Sequence, residues 1–462
     1  MVVETSYGAA KTVTGSCHFV KFENGLKILI DCGMYQGLVE DRNYEPLGFN
    51  PKEIDYLLLT HGHLDHVGRV PLLVKDGFRG KIIATPATFD LAKIVLLDSA
   101  KLMKEEFKTR FKKAQRRGKE KEVKKPLFDT KDIKRAFNLK KIKVDYEQKI
   151  KLSKDIEVVF RDAGHILGSA FIEIAYRENN QNKRVIFSGD LGNKDNGLLP
   201  PPKKPHDAQN LFIESTYGDR VHRPYEDSLL EFKEAIFETI LKGGNVLIPS
   251  FAIERTQQIL AILKKMYLSK ELPKDVNVFL DSPMAIKTTK VYKKYKNLLL
   301  KKYKNIKNPF VFPNLKLTSD AEESKRINKL KHRNIIIAGS GMCTGGRILH
   351  HFKHRLWDEK NSVIFVGYQA KGTLGREIID GAKIVKIYGE EILVRAKIFT
   401  INGFSAHADQ KELIEWMGEI KSLKHPFLIH GEKDKQEIFK KAIYEKLNLK
   451  AHIVEIKEKI HI

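Results

Sequence analysis

The feature that most constrains this chain is a run of potential metal ligands just after an apolar segment. Four of them fall within six residues: His61, His63, Asp65 and His66. The preceding run Tyr56–Leu59 predicts a strand, and a tight loop at Gly62 can aim two ligands one way and two another. A lone histidine is usually structural, but this clustering predicts two adjacent metal sites. Imidazole with carboxylate favours zinc, with manganese or iron left open.

Three further motifs, taken in order, resemble those of the metallo-β-lactamase superfamily. Asp31, in Ile30-Asp31-Cys32-Gly33, matches the early aspartate that supports the metal-binding loop and is not primarily a ligand. His165, in Ala163-Gly164-His165, matches the histidine of the third motif. Asp190, in Ser188-Gly189-Asp190, matches the aspartate that bridges both ions. Each pair alone resembles an ordinary turn, and the order gives the motifs their weight.

Three more residues narrow the resemblance to the β-CASP nucleases, which include the pre-mRNA 3′-end cleavage endonuclease and RNase J. Glu214, in Phe212-Ile213-Glu214-Ser215-Thr216, matches motif A. His407, in Ser405-Ala406-His407-Ala408-Asp409, matches motif B, and His430, in Leu428-Ile429-His430-Gly431, matches motif C. A histidine at motif C accompanies RNA substrates in this family. The resemblance therefore implies a metal-dependent ribonuclease.

The resemblance also implies a role for each of these side chains. One zinc ion would be held by His61, His63, His165 and Asp190. The second zinc ion would be held by Asp65, His66, Asp190 and His430. A hydroxide activated by both metals would attack phosphorus, and the expected catalytic residues are Asp65, His407 and Glu214. His407 would protonate the departing 3′ oxygen while Glu214 orients its ring, leaving a 5′ phosphate and a 3′ hydroxyl.

The pattern of predicted elements divides the chain into three stretches. Short β runs with histidines and aspartates just past their ends fill residues 1–218 and return in 386–462. Between them, apolar runs alternate with helical patterns: Asn245–Ile248, Asn277–Leu280, Asn334–Ala338 and Ser362–Val366. We expect an α/β fold in which a metallo-β-lactamase αββα sandwich, formed by 1–218 and 386–462, carries an inserted parallel α/β β-CASP domain at 219–385.

The charge balance favours a polyanionic partner. Lys and Arg number 83 against 58 Asp and Glu, a net charge of +25. The stretch Lys101–Lys125 alone holds twelve basic and four acidic residues and predicts an exposed helix or helical hairpin. A solvated surface and an RNA-contacting arm are both compatible with that stretch.

Two glycine-rich loops follow predicted strands in the middle of the chain, at 338–347 and 367–376. Backbone amides freed by glycine, a helix amino terminus and an arginine can together bind RNA phosphates, although such turns are often purely architectural. Neither loop ends in the G-K-[ST] of a Walker motif. With a residue near motif B, the candidate RNA-binding residues are Ser340, Gly341, Arg347, Lys371, Arg376 and Ser405. Single-stranded RNA is the expected partner, bound with little sequence preference.

The cysteine content and the hydropathy indicate a cytoplasmic protein. Cys17, Cys32 and Cys343 form no C-x-x-C pair, and neither a signal peptide nor a membrane-spanning apolar run is evident. Because the metal-binding pattern starts at Met1 and the chain ends soon after motif C, we expect the short, stand-alone form of the family. That form lacks the KH domains of one archaeal branch and the extra carboxy-terminal domain of RNase J. A homodimer stays open.

Two other functions remain open at this point. The same scaffold supports hydrolysis of small esters and thioesters, and some β-CASP relatives are non-catalytic RNA-binding subunits. The first alternative gives no reason for an inserted domain or motifs A to C, and the second gives none for a full set of ligands. Endonucleolytic cleavage is the expected mode, and 5′ to 3′ exonuclease activity shares the same motifs.

Overall fold

A computed structural model describes residues 1–330 and 332–462 of the chain. It consists of two units, and each is described below by itself. The first unit comprises residues 1–194, 201–221 and 407–462, and the second comprises 195–200 and 222–406. The first unit is therefore assembled from stretches that are distant in sequence.

The helices and strands follow in chain order. In residues 1–221 they are β1 (Val3–Gly8), β2 (Cys17–Lys21), β3 (Lys27–Ile30), β4 (Tyr56–Leu58), α1 (Leu64–Val67), α2 (Val70–Lys75), β5 (Lys81–Ala84), α3 (Pro86–Gln115), α4 (Thr130–Asn138), β6 (Lys141–Lys143), β7 (Lys149–Lys151), β8 (Ile156–Asp162), β9 (Ala170–Glu178), β10 (Gln181–Phe187) and β11 (Asn210–Glu214). In residues 222–406 they are α5 (Tyr225–Leu241), β12 (Val246–Pro249), α6 (Arg255–Leu268), β13 (Asn277–Asp281), α7 (Pro283–Lys294), α8 (Lys301–Lys304), β14 (Leu315–Leu317), α9 (Ala321–Ile327), β15 (Asn334–Ala338), α10 (Arg347–Arg355), β16 (Ser362–Phe365), α11 (Leu374–Ile379), β17 (Ile384–Ile387), β18 (Glu390–Leu393) and β19 (Lys397–Thr400). In residues 407–462 they are α12 (Gln410–Gly418), β20 (His425–Ile429), α13 (Lys433–Leu447), β21 (His452–Ile453) and β22 (Lys459–His461).

Two mixed sheets of seven strands each form the centre of the first unit. Their strand orders are β22-β1-β2-β3-β4-β5-β6 and β21-β20-β11-β10-β9-β8-β7. In the second sheet, β11 pairs in parallel with β20, so that Asn210 lies opposite His425 and Glu214 opposite Ile429. The carboxyl ends of neighbouring parallel strands thus bring motif A and motif C to the same edge.

Four layers result from the way these sheets are covered. One apolar core joins the two sheets to each other and includes Phe160, Phe187 and Phe212. A second core packs α2, α3 and α4 against the first sheet, and a third packs α12 and α13 against the second sheet. This arrangement is an αββα sandwich, which confirms the predicted fold class.

The second unit contains a six-stranded parallel sheet with the order β14-β13-β15-β12-β16-β19. Its central strands are buried along their whole length, as in Asn334–Ala338, because helices cover both faces of such a sheet. A separate antiparallel pair, β17 and β18, packs on the same core. The predicted parallel α/β insertion is confirmed.

The boundary between the units differs from the predicted one. Residues 386–406, which the sequence pattern assigned to the returning part of the sandwich, lie in the second unit. The physical reason is β19, which pairs in parallel with β16 so that Ser362 lies opposite Lys397. A strand added at a sheet edge resembles any other short apolar run in sequence, so the pattern could not assign it.

The basic stretch predicted as a helix or helical hairpin lies in the first unit. The thirty-residue helix α3 (Pro86–Gln115) covers its first part, and a 3-10 helix at Glu120–Glu122 follows. Within residues 1–330 and 332–462, no helix combines the length and apolarity needed to cross a bilayer.

A buried carboxyl group sits at a strained backbone position in the second unit. Glu254 precedes α6 with a φ of 65°, a conformation that non-glycine residues rarely adopt. Its side chain accepts a hydrogen bond of 2.6 Å from the Tyr292 hydroxyl. Burial raises the pKa of Glu254 to about 7. The folded unit therefore holds this group protonated over a pH range in which the unfolded chain releases the proton.

Substituting Glu254→Gln should remove a pH dependence of stability. Between the ordinary pKa near 4.5 and the folded value of about 7, only the folded state keeps the proton, so the free energy of unfolding falls as pH rises. The fall amounts to about 3 kcal/mol at most. We expect urea unfolding to show a larger loss from pH 5 to pH 8 in the wild type than in the variant. An equal loss of unfolding free energy in the wild type and in Glu254→Gln would contradict the raised pKa of Glu254. The same change in the exposed control Glu234→Gln would contradict it as well.

Candidate metal centre

The loop after β4 packs closely against α3, and glycine at position 62 allows this contact. A Cβ atom on Gly62 would lie 2.9 Å from Cβ of Leu91 and 3.2 Å from the backbone nitrogen of Ala92, both on α3. Helix α1 then starts at Leu64, with His63 as its N-cap. The turn separates the ligand run into two pairs, one before the helix and one in its first turn.

The first group of ligand atoms comes from three histidines and one aspartate. The atoms all lie within 4.8 Å of one another and belong to His61, His63, His165 and Asp190. Nδ1 of His63 is 3.1 Å from Nε2 of His61 and 3.2 Å from Nε2 of His165. Burial lowers the pKa of His61 well below its ordinary value and that of His63 to about 4. The rings of His61 and His63 are therefore neutral, and their nitrogen lone pairs directed at one another fit a shared cation.

The second group lies beside the first. It consists of Asp65, His66 and His430, again with ligand atoms within 4.8 Å of one another. Nε2 of His66 is 3.3 Å from Nε2 of His430, and that same His430 atom is 3.5 Å from Oδ2 of Asp65. Two nitrogens and one carboxylate oxygen thus converge, a donor set that suits zinc.

Asp190 lies between the two groups. Its Oδ2 is 3.5 Å from Nε2 of His61 and 3.6 Å from Nε2 of His165. Its Oδ1 is 3.3 Å from Nε2 of His66 and 3.6 Å from Nδ1 of His430. That Oδ1 atom is buried and has no hydrogen-bond partner among residues 1–330 and 332–462. A buried carboxylate oxygen without a donor, facing two imidazoles, fits a metal ion as its missing partner.

A third set of potential ligand atoms, from Asp190, Glu214 and His430, also lies within 4.8 Å of one another. Glu214, however, is fully buried and engaged elsewhere. Its Oε1 accepts a 2.6 Å hydrogen bond from the backbone nitrogen of Leu191, and both carboxylate oxygens lie 3.2 Å from Nδ1 of His407. Glu214 therefore holds His407 and is a poor candidate for a ligand.

The pairing with Glu214 changes the acid strength of His407. Burial lowers the pKa of His407, but the charge of Glu214 and its hydrogen bond outweigh that effect and raise the pKa to about 9. The ring is 21% exposed, and its centroid lies 4.4 Å from that of His165. A protonated imidazole thus stands next to the first group of ligands.

Asp31 supports the site from behind. Its Oδ1 accepts a 2.8 Å hydrogen bond from the backbone nitrogen of Thr60, and its Oδ2 accepts one of 2.7 Å from the Thr60 hydroxyl. The same Oδ2 lies 2.7 Å from Nδ1 of His66. Burial lowers the pKa of His66, but the charges of Asp190 and Asp31 outweigh it and raise the pKa well above its ordinary value. Asp31 thereby fixes the orientation of the His66 ring, with Nε2 directed at the other ligand atoms of the second group.

Replacing Asp31 with Asn should weaken metal binding without removing a ligand. The amide nitrogen cannot accept a hydrogen bond from His66 or from the Thr60 hydroxyl, so the His66 ring loses its orientation. We expect affinity for zinc, measured by competition with a chromophoric chelator, to fall about 10- to 100-fold. The exposed control Asp145→Asn should leave the affinity unchanged, and an unchanged affinity in Asp31→Asn would remove this role.

Comparison with known protein families gives matches along much of the chain. Residues 10–236 match the Metallo-beta-lactamase superfamily, and residues 256–378 match the Beta-Casp domain. Residues 391–454 match the Zn-dependent metallo-hydrolase RNA specificity domain. The chain is also 41% identical to Ribonuclease TTHA0252 of Thermus thermophilus over 434 residues, which cover 93% of each protein. The chain belongs to the β-CASP family.

Other β-CASP relatives agree with this membership. The chain is 32% identical to an RNase J-like protein of Methanocaldococcus jannaschii, with 97% of each protein covered. It is also 32% identical to Transcription termination factor FttA of that organism, covering 96% of this chain and 70% of that protein. A crystal structure of a protein of unknown function from Enterococcus faecalis has the same fold, with a TM-score of 0.57, 13% identity and complete coverage of both chains.

The RNA-binding residues predicted in the β-CASP insertion lie in separate loops of the second unit. In the loop after β15, Oγ of Ser340 accepts a 3.0 Å hydrogen bond from the backbone nitrogen of Thr344. A Cβ atom on Gly341 would lie 2.7 Å from the ring of Phe251, so glycine allows this close packing. Arg347 donates from Nη1 to Asp281 at 2.6 Å and to the Thr318 carbonyl at 3.0 Å. Arg347 therefore braces the loop from within, a role that its sequence position did not suggest.

The other three predicted residues lie elsewhere in the second unit. Lys371 is exposed in the loop after β16. Arg376, on α11, forms an ion pair with Asp380 at 2.7 Å. Ser405 is buried just after a 3-10 helix at Asn402–Phe404. The structure thus groups Ser340 with Arg347 and Lys371 with Arg376, whereas Ser405 belongs to neither loop.

Sequence reasoning missed two hydroxyl groups that orient the ligands of this β-CASP chain. The Thr60 hydroxyl lies between Asp31 and Nδ1 of His61, 3.1 Å from the latter. The Thr216 hydroxyl lies 3.1 Å from Nδ1 of His430. Thr60 directly precedes the ligand run, and Thr216 lies in motif A. Their proximity to candidate ligands in sequence was the signal that could have identified them.

Proposed function

We propose that this chain is a ribonuclease that hydrolyses phosphodiester bonds of single-stranded RNA with two zinc ions, leaving a 5′ phosphate and a 3′ hydroxyl. The coarser assignment, a metal-dependent ribonuclease, is supported by family membership and by two relatives named Ribonuclease TTHA0252 and RNase J-like protein. The observation that carries the finer proposal is Asp190, whose two carboxylate oxygens face two different groups of imidazoles.

Each zinc ion has a defined set of residues. One set is His61, His63, His165 and Asp190. The other is Asp65, His66 and His430, with Oδ1 of Asp190 as the shared carboxylate. Two zinc ions held there would supply Lewis-acid charge to the scissile phosphate and would lower the pKa of water toward neutrality. The protein keeps the donors in place through Asp31 and through the hydroxyls of Thr60 and Thr216.

His407 supplies the proton that the leaving group needs. Nδ1 of His407 is directed at Glu214, and Nε2 is the atom that would donate the proton to the departing 3′ oxygen. A pKa of about 9 keeps the ring protonated at neutral pH, and Glu214 stabilises that charge. Asp65, part-exposed beside His430, orients the attacking water.

Contacts in the second unit hold the RNA backbone. The exposed Lys371 and the partly exposed Arg376 bind phosphates as cations, and the loop of Ser340 and Gly341 offers backbone donors. Arg347 and Ser405 contribute by shaping their loops. Phosphate contacts of this kind carry little sequence information, so cleavage should show weak base preference. We propose that it is endonucleolytic.

The test is cleavage of a 5′-labelled single-stranded RNA by the full chain, after removal of metal and again after adding zinc. We expect cleavage only with metal, at internal positions, on substrates that begin with a monophosphate, a triphosphate or a hydroxyl. Mapping of the product ends should give 5′ phosphates and 3′ hydroxyls. Duplex RNA serves as the negative control.

The alternatives give different results in the same assay. Release of mononucleotides only from the 5′-monophosphate substrate would replace the endonuclease proposal by a 5′ to 3′ exonuclease. Hydrolysis of a thioester with intact RNA would favour the small-ester hydrolase. RNA binding without any cleavage under all metals would favour the non-catalytic subunit.

A further inference from the structure

The distal half of helix α3 is a surface that the proposed chemistry does not use. The first turns of α3 lie behind the metal centre, where Leu91 packs against Gly62 and Ala87 packs against Gly168. Burial of the helix ends near Ala100. Between Lys101 and the end of the helix at Gln115, four side chains are half-buried and the others are exposed; the half-buried ones are Met103, Phe107, Phe111 and Ala114. The helix therefore runs from the metal loop into solvent within the first unit.

The exposed part carries a concentrated positive charge. Residues 101–125, here called the arm, contain twelve Lys and Arg and four Glu, a net charge of +8 in a chain whose net charge is +25. About a third of the net charge thus lies in about a twentieth of the length. Such a local excess attracts polyanions through counterion release, more strongly than the same charge spread over the surface.

One face of the arm presents these charges as a row. Steps of three or four residues place side chains on the same side of a helix, and the row consists of Lys101, Lys104, Lys108, Lys112 and Arg116. The half-buried Phe107 and Phe111, each three residues after a lysine of the row, flank the row on one side, with their ring centroids 5.6 Å apart. Four residues of helix correspond to about 6 Å, so the row offers evenly spaced cations along about 20 Å.

Most of these cations are not neutralised by the protein. Lys101 pairs with Glu105 at 3.9 Å, and Arg110 pairs with Glu106 at 2.5 Å. Across residues 1–330 and 332–462, no acidic side chain forms an ion pair with Lys104, Lys108, Lys112 or Arg116. Like charges four residues apart repel each other along a helix. Glu105, four residues after Lys101 and three before Lys108, lies on the same side of the helix, and beyond it the row continues through Lys112 and Arg116 without another acidic residue.

We propose that the arm binds the phosphate backbone of RNA at a distance from the bond that is cut. The proposal rests on the proposed ribonuclease function and adds a second contact region to it. A membrane surface fits less well, because interfacial helices need a continuous apolar face and the arm exposes only Leu102 among large apolar residues, at 56%. From Leu91 at the metal loop to the row, the helix covers about 15 to 37 Å, so only long RNA reaches both the metal loop and the whole row.

The test compares two fourfold variants of the full chain. The first replaces Lys104, Lys108, Lys112 and Arg116 with Gln. The second, a matched control, replaces Lys424, Lys440, Lys446 and Lys450 with Gln; these lysines are exposed, lie in the first unit and carry the same total charge. Each variant is assayed for cleavage of an RNA of about 6 nucleotides and one of about 40 nucleotides, at several salt concentrations.

The arm variant should raise KM for the long RNA about 10- to 100-fold at low salt, with kcat unchanged and KM for the short RNA unchanged. The slope of log affinity against log salt for the long RNA should fall by about 3, since four contacts to single-stranded RNA are lost. The control variant should change KM less than about 3-fold. Circular dichroism should show the same helix content in all three proteins.

Several results would overturn the proposal. They are equal losses in the two variants, equal losses on long and short RNA, or no loss at all. Loss of binding to vesicles of phosphatidylserine and phosphatidylcholine with unchanged affinity for long RNA would assign the arm to a membrane. If the wild type cleaves no RNA, direct binding of the long RNA still tests the arm, so the two proposals fail separately.

Discussion

Replacing Asp190 with Asn is expected to abolish RNA cleavage, with kcat/KM lower by about 10³-fold or more. The oxygens of this carboxylate face both sets of imidazoles, at 3.3 to 3.6 Å. An amide carries no charge and offers one acceptor, so both groups of ligands lose the anion between them. Cleavage of single-stranded RNA and zinc content by atomic absorption are measured together, and zinc per chain should fall.

Binding of RNA separates this effect from misfolding. Because phosphate contacts elsewhere give most of the affinity, Asp190→Asn should retain RNA binding in a filter assay. Asp145→Asn, an exposed change in the same unit, should cleave normally. Cleavage by Asp190→Asn within a few fold of the wild type would remove the two-metal proposal.

Replacing His407 with Ala is expected to lower kcat about 10²- to 10³-fold while KM and zinc content stay the same. The ring is held by Glu214 at 3.2 Å, and in the proposed mechanism it donates a proton to the leaving oxygen, so its loss affects the chemical step. Single-turnover cleavage of RNA measures that step directly. The exposed His425→Ala, a change of the same type in the same unit, serves as the control.

Glu214→Gln tests whether the two residues act together. Without the carboxylate charge, His407 loses the interaction that raises its pKa, so kcat should fall in this variant as well. The double variant should be little worse than His407→Ala alone, because the pair acts as a unit. Full additivity of the two losses would contradict the pairing, and a loss of zinc in either variant would assign Glu214 or His407 to the metal.

The ligand set of the candidate site was predictable because its chemistry is concentrated in short motifs. Four candidate ligands are recognisable from their close spacing alone: His61, His63, Asp65 and His66. The structure brings them together with His165, Asp190 and His430. The supporting contacts were not predictable. The hydroxyls of Thr60 and Thr216 orient ligands only because the chain approaches itself there, and sequence spacing does not encode that approach.

The fold was predictable at the level of layers and less so at boundaries. The strand Asn334–Ala338 has the predicted bounds, because a buried strand needs an uninterrupted apolar run. The segment 386–406 lies in a different unit from the predicted one. Its strand β19 completes the edge of the six-stranded sheet, and an edge strand has a weak hydrophobic pattern. Arg347 likewise showed its ion pair with Asp281 only in three dimensions.

The parallel pairing of β11 with β20 has a consequence for protein synthesis. Glu214 lies opposite Ile429, so more than two hundred residues must leave the ribosome between one partner strand and the other. His430 follows directly, and with it the last of the grouped ligands. A nascent chain that stalls before this point presents an unfinished sheet and an incomplete donor set. If His430 holds zinc as proposed, partial products of translation would lack nuclease activity, including activity toward the message that encodes them.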